Sequence, residues 1–204
     1  MLRGVLDRRL PAFVEGLPVT EAALAYAERV HAGQRRAVDG APFIFHPLDV
    51  ASLLYSVGAT DPVIAAGVLH DVIEDTAAVA SDLRGRFGRK VTDLVVAVSE
   101  DDRIADHDAR KAALRAQVAA SGHDALLLFA ADKLSIVRAL RAALRRGIDD
   151  EVTPASAEKL RHYHRSLELL EELEPDAPLV RRLRNELDQL DAELMSRRYA
   201  ELAR

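Results

Sequence analysis

"DPVIAAGVLHDVIEDT", Asp61 to Thr76, decides how the chain is read. Its first half, "VIAAGVL", is apolar on all sides, the pattern of a helix enclosed by others rather than lying on a surface. Asp61 is placed to cap that helix, with Pro62 in its first turn. The second half places His70, Asp71, Glu74 and Asp75 within one short segment. At about 100° per residue these fall at about 0°, 100°, 40° and 140°, and Leu69, Val72 and Ile73 fill the opposite side. On a surface helix such an arc is a solvated face. On a central helix the same groups need partners, because burying them alone is costly.

Two residues elsewhere bear on that choice. Asp132 lies in "LLLFAADKLS", within the most apolar stretch of the chain. An unpaired buried carboxylate costs several kcal/mol, so a metal, a lysine or an arginine is expected beside it. His46 follows the apolar run in "FIFHPLD". A single histidine there reads as a cap or a packed side chain. With His70, Asp71 and Asp132 it completes a set of two imidazoles and two carboxylates, which suits Mn, Fe, Co or Zn. The neighbours His70 and Asp71 can converge on one ion across a single step of helical rotation.

The remaining pattern is helical. Thr20 is a plausible cap for "EAALAYAERVHAG", with Gly33 as its stop, and Pro47 and Gly58 bracket another helix. Two amphipathic stretches follow, around "VASDLRGRFG" and "KVTDLVVAVSE". Residues 106–121 read as a polar, exposed helix, and "HDALLLFAADKLSIVRALRAALRRG" as a long one. Thr153 and Pro154 open the next. Leu183, Leu187, Leu190 and Leu194 mark an apolar stripe on the last, suited to its own core or to a second subunit. No strand pattern or repeat appears. The expectation is one all-α domain over 1–204, a bundle of about eight to ten helices. Its core spans about 20–170, and the helices of 153–204 pack upon it.

The composition, 49% hydrophobic and 30% charged over 204 residues, is that of a folded globular chain. The absence of cysteine excludes disulfides, thiolate-bound zinc and a cysteine nucleophile, and suits a cytoplasmic location. No secretion signal or membrane span is expected. A net charge of -5 argues against a nucleic-acid partner but leaves room for a small phosphorylated ligand.

"GAPFIFHP", "LHDVIEDT" and "ADKL", in this order, resemble the HD-superfamily metal-dependent phosphohydrolases. The likeness is to the hydrolase domain of RelA/SpoT-type enzymes and to small alarmone hydrolases, over roughly residues 20–170. The resemblance implies removal of the 3′-pyrophosphate from guanosine tetra- or pentaphosphate by an HD-type helical bundle, usually with manganese. It implies His46, His70, Asp71 and Asp132 as metal ligands. Glu74 and Asp75 match the pair that positions and activates the attacking water. It points to Arg35, Arg36, Arg103, Lys133, Lys159 and Tyr163 as substrate contacts, with Tyr163 offering an aromatic plane to the nucleoside. Each has an ordinary alternative, a solvated loop for the arginines and core packing for Tyr163. His31, His107, His123, His162 and His164 take surface or packing roles. No separate synthetase domain is expected, and the molecule is expected as a monomer or homodimer.

One position departs from the family pattern. Ile136 stands where an asparagine is usual, one turn beyond Asp132. Its side chain cannot donate to a ribose hydroxyl or a phosphate, which costs about 1–3 kcal/mol of discrimination. Hydrolysis of another 2′- or 3′-phosphorylated nucleotide is therefore the competing expectation, with a non-catalytic nucleotide-binding module as a third.

Overall fold

The computed structural model describes residues 11–147 and 154–202. The expected cap at Thr153 lies outside them. Among the described residues the helices are α1 (Pro18–Val30), α2 (Phe45–Ser56), α3 (Asp61–Leu69), α4 (Val72–Asp75), α5 (Ala80–Val98), α6 (His107–Ala120), α7 (His123–Arg145), α8 (Pro154–Leu173) and α9 (Pro178–Leu202). The all-α expectation holds; an isolated bridge between Arg35 and Pro42 is the nearest approach to a strand among these residues. The two amphipathic stretches at 79–100 are two helical segments, labelled together as α5 and separated by a break at Gly88, whose φ of 78° only glycine adopts readily.

α3 is the enclosed helix that its composition implied. Every residue from Val63 to Leu69 is buried, with α1, α2, α5 and α7 packed around them. Gly67 sets the closest approach. A Cβ there would lie 2.6 Å from Leu54 Cδ1 and 3.4 Å from Val50 Cγ1, both on α2. Absence of that side chain lets α2, which carries His46, lie tight against α3, which leads to His70. Leu183, Leu187 and Leu190 of α9 are buried in the same apolar cluster as α3 and α7, and Leu194 packs against it. Ion pairs reinforce the docking: Arg141 of α7 reaches Glu186 and, at 2.9 Å, Glu193 of α9.

Two expected caps are corrected. Thr20 lies inside α1, which starts at Pro18, and Asp61 does not cap α3. The Asp61 carboxylate instead accepts from the Val19 and Thr20 amides at 3.0 and 2.9 Å and from the Thr20 hydroxyl at 2.6 Å. Leu17 at the N-cap position offers α1 no capping side chain, so a carboxylate from a neighbouring helix satisfies its first amides. α1 is thereby fastened to the start of α3.

Candidate metal centre

The polar arc forms where the helix breaks. α3 ends at Leu69, α4 begins at Val72, and His70 and Asp71 lie between them with near-helical backbone. Both side chains therefore turn inward together, His70 with only 3% exposure. Its Nδ1–H donates to the Gly67 carbonyl at 2.8 Å, which leaves the Nε2 lone pair facing the interior. His46, at the start of α2, is held similarly, with Nδ1 paired to Ser135 Oγ at 3.1 Å.

The two Nε2 atoms lie 3.1 Å apart. Asp71 Oδ2 is 3.1 Å from His70 Nε2 and 3.5 Å from His46 Nε2. From α7, Asp132 Oδ1 is 3.2 Å from His46 Nε2 and 3.7 Å from His70 Nε2. His46, His70 and Asp132 present one ligand atom each within 4.8 Å of one another, and Asp71, outside that set of three, approaches it through the two histidines. Burial would push the His70 pKa down, but Asp71 and Asp132 overcome it and raise it well above the usual value. The field that favours a proton on His70 favours any cation there, and two imine nitrogens with two carboxylates are a fitting donor set for a borderline divalent ion.

Asp132 is doubly engaged. Its other oxygen accepts from Lys133 Nζ at 2.7 Å, and that ammonium also lies 4.7 Å above the Phe129 ring. Burial opposes ionisation of Asp132, yet Lys133 and the two histidines hold its carboxyl well below the ordinary range. Lys133, expected as a substrate contact, is itself buried and committed to Asp132.

Glu74 sits on α4 and accepts from the Glu100 amide at 2.8 Å. Desolvation by the surrounding protein outweighs that bond and, with the negative charge of Asp71 added, raises its pKa to about 7. Asp75 is likewise raised, by desolvation first and then by Asp71. Thr76 closes the end of α4: its hydroxyl donates to the Val72 carbonyl at 2.6 Å.

A tie that the sequence reading missed positions this pair. Buried His31 donates from Nδ1 to Gln34 Oε1 at 2.6 Å, and Gln34 Nε2 donates to the Asp75 carbonyl at 2.8 Å. Ser135 was missed as well. Neither stands out by periodicity, because each acts on a partner more than 40 residues away; the Gln after His31 in "HAGQ" is the nearest thing to a signal.

Beside the centre lies a cleft of about 440 Å³, which shares Ser135 with it. Arg36 lines the cleft, forked onto Asp39 and 3.6 Å from Asp49. Arg138, Arg146 and Arg182 line it too. The other expected contacts are not gathered there. Arg35 is exposed and donates to the Gly40 carbonyl at 2.7 Å. Arg103 is exposed and paired with Asp101 at 2.8 Å, and Lys159 is exposed on α8. Tyr163 is corrected: it is 7% exposed in the apolar cluster, with its ring 5.7 Å from that of His162, so it offers no open face to a nucleoside. Ile136 is half-buried and packs against the core.

Comparison with known proteins adds to this geometry. The HD-domain family pattern matches residues 23–155. A GTP pyrophosphokinase of Streptomyces coelicolor is 40% identical over 124 residues, 59% of this chain and 14% of that protein. A guanosine-3′,5′-bis(diphosphate) 3′-pyrophosphohydrolase of Aquifex aeolicus is 31% identical over 137 residues, 66% of this chain and 20% of that protein. The chain thus spans a fifth or less of these two relatives. A solved structure described as a metazoan ortholog of SpoT that hydrolyzes ppGpp superposes with a TM-score of 0.73 at 26% identity, covering 89% of this chain and 98% of that one. With the family pattern extending across α1 to α7 and the paired histidines and aspartates inside it, this chain belongs to the HD-domain family.

Proposed function

We propose that this chain is a metal-dependent phosphohydrolase that removes the 3′-pyrophosphate from guanosine tetra- or pentaphosphate, with manganese as its ion. The observation that carries the reading is the convergence of His46, His70, Asp71 and Asp132, with each imidazole turned by a second contact so that Nε2 faces the others. The names of the Aquifex relative and of the metazoan structure support the same substrate.

Those four side chains would hold the ion. When bound, it supplies Lewis acidity to a phosphoryl oxygen and makes a nearby water easier to deprotonate. Glu74 takes the water proton; a carboxyl near 7 suits proton transfer at neutral pH. Asp75 orients that water, on a segment that Gln34 secures through the backbone. The bond from phosphorus to the 3′ oxygen breaks, the water oxygen stays on the departing pyrophosphate, and the 3′ oxygen leaves with a proton. The nucleoside lies toward the cleft, where Arg36 stacks on the base or pairs with phosphate. Arg35, Arg103 and Lys159 are solvent-facing and could reach the phosphates only from the rim. The protein works in the cytoplasm on this small nucleotide, as a monomer or homodimer.

Ile136 favours a second reading, the same chemistry on another 2′- or 3′-phosphorylated nucleotide. One experiment separates the two. Manganese-loaded protein is given a panel of such nucleotides and pyrophosphate or phosphate release is followed. Release from guanosine tetraphosphate above a His70→Ala, Asp71→Ala control supports the first reading, and release from another nucleotide alone supports the second. Glu74→Gln is expected to keep bound metal and lose about 10²–10⁴-fold in rate; full activity in that variant removes Glu74 from the mechanism.

A further inference from the structure

We propose that Arg138, Arg146 and Arg182 form a second phosphoryl-binding position in the cleft, apart from the metal centre, which takes the 5′-phosphates of a nucleotide whose 3′ group lies at the ions' ligands. The inference rests on the reading above and adds α9 to the substrate site.

The charge balance of the cleft motivates it. Four arginines line it against two aspartates, Asp39 and Asp49. Arg36 engages both aspartates, one through a two-pronged contact. Arg146 reaches Asp39 only at 3.9 Å. Arg138 holds Glu186 through Nε at 3.1 Å, but that glutamate is shared with buried Arg141. Arg182 donates to the neutral Ser56 hydroxyl at 3.1 Å, and among the described residues no carboxylate lies within ion-pair distance of it. Burial first and then the like charge of Arg138 disfavour the charged form of Arg182, and the nearby charge of Glu186 only partly offsets them, so an anion between these two guanidiniums would counter the repulsion. Guanidinium groups suit phosphate oxygens, which accept two parallel hydrogen bonds from one planar fork.

The position is built rather than incidental. α9 is anchored to α7 through Arg141 with Glu186 and Glu193, and by Arg145 with Glu193 at 2.7 Å, so Arg182 is held near Ser56 of α2. Arg182 also lies beyond residues 23–155 that carry the family pattern. Ser135 sits between the two regions, bonded to His46 Nδ1 on one side and part of the cleft lining on the other, so the arginines lie next to the element that holds the histidine.

The test uses binding as well as turnover. Guanosine and guanosine 5′-diphosphate are titrated calorimetrically into the full-length protein, into Arg182→Gln and into Arg146→Gln. The wild-type protein is expected to prefer the diphosphate at least tenfold, and each variant to lose most of that preference. Equal binding of the two probes to wild type, failure of both to bind, or an unchanged preference in folded variants overturns the proposal. Should Arg182→Gln fail to fold, Arg146→Gln, whose side chain is 55% exposed, decides alone. Turnover of guanosine tetraphosphate, measured separately, judges the hydrolase reading: a protein that prefers the diphosphate through these arginines but cleaves nothing would retain the site and lose the activity.

Discussion

The metal centre and the outer substrate contacts are made differently. At the centre, ligands come from the start of α2, the α3–α4 junction and α7, and second contacts from Ser135, Gly67 and Lys133 fix their direction. At the rim, charged side chains are held by near neighbours, as Arg103 is by Asp101 and Arg35 by Gly40. A change at the centre must therefore be felt through three helices, whereas a change at the rim should stay local. The contrast makes a graded set of expectations.

The largest effect is expected at Asp132. Asp132→Ala removes a proposed ligand and leaves the Lys133 ammonium buried without its carboxylate. Breaking a buried ion pair from one side costs about 3–5 kcal/mol. Urea denaturation should show a loss of that order, and elemental analysis of protein prepared without chelator should show metal lost as well. A variant with wild-type midpoint and full metal content would erase the distinction between centre and rim.

A medium effect is expected where α8 closes over the basic interior. His162 is buried, accepts from Arg115 at Nδ1 over 2.9 Å, and has its pKa lowered to about 2, by burial first and then by the charges of Lys133, Lys111 and Arg115. An unfolded histidine titrates near 6.5. The folded state therefore refuses a proton that the unfolded state binds. The stabilisation is complete above about pH 6.5 and falls as the pH drops below it, by about 2 kcal/mol at pH 5. Glutamine at 162 retains an acceptor for Arg115 without titrating. The difference in unfolding free energy between wild type and His162→Gln should shift by about that amount between pH 7 and pH 5. A constant difference would mean that the imidazole takes up its proton as readily in the fold as in the unfolded chain.

The uneven legibility of the molecule has the same physical origin. The enclosed helix was readable because "VIAAGVL" leaves no polar face, and His70 and Asp71 because charge inside such a segment requires compensation. His46 and Asp132 were readable for the same reason, each being polar within an apolar run. Cap assignments failed where the partner was distant: Asp61 serves the first turn of α1, about 40 residues earlier, and periodicity has no view of that. Gln34 and Ser135 were missed alike, since a polar residue near a turn or on a helix has no local mark of what it will bond. The substrate contacts resisted for the opposite reason. An exposed arginine is stable in many arrangements, and its sequence neighbourhood does not choose among them. Tyr163 carries the same lesson in reverse, since an aromatic ring at helical spacing was core and not platform.

The smallest effect on stability is expected at the rim, and it separates positioning from structure most cleanly. The Arg103 side chain is 90% exposed and its ion pair with Asp101 spans two residues. Exposed pairs of this kind contribute little to stability and are screened further by salt. Arg103→Ala should therefore leave the denaturation midpoint within error and leave metal content unchanged. If Arg103 reaches a substrate phosphate, it must first release Asp101, and that exchange would appear as a raised KM with little change in kcat, diminishing as salt is added. Should kcat fall while KM holds, Arg103 acts on the reacting group, and the boundary between centre and rim has to be redrawn to include the loop that follows Glu100.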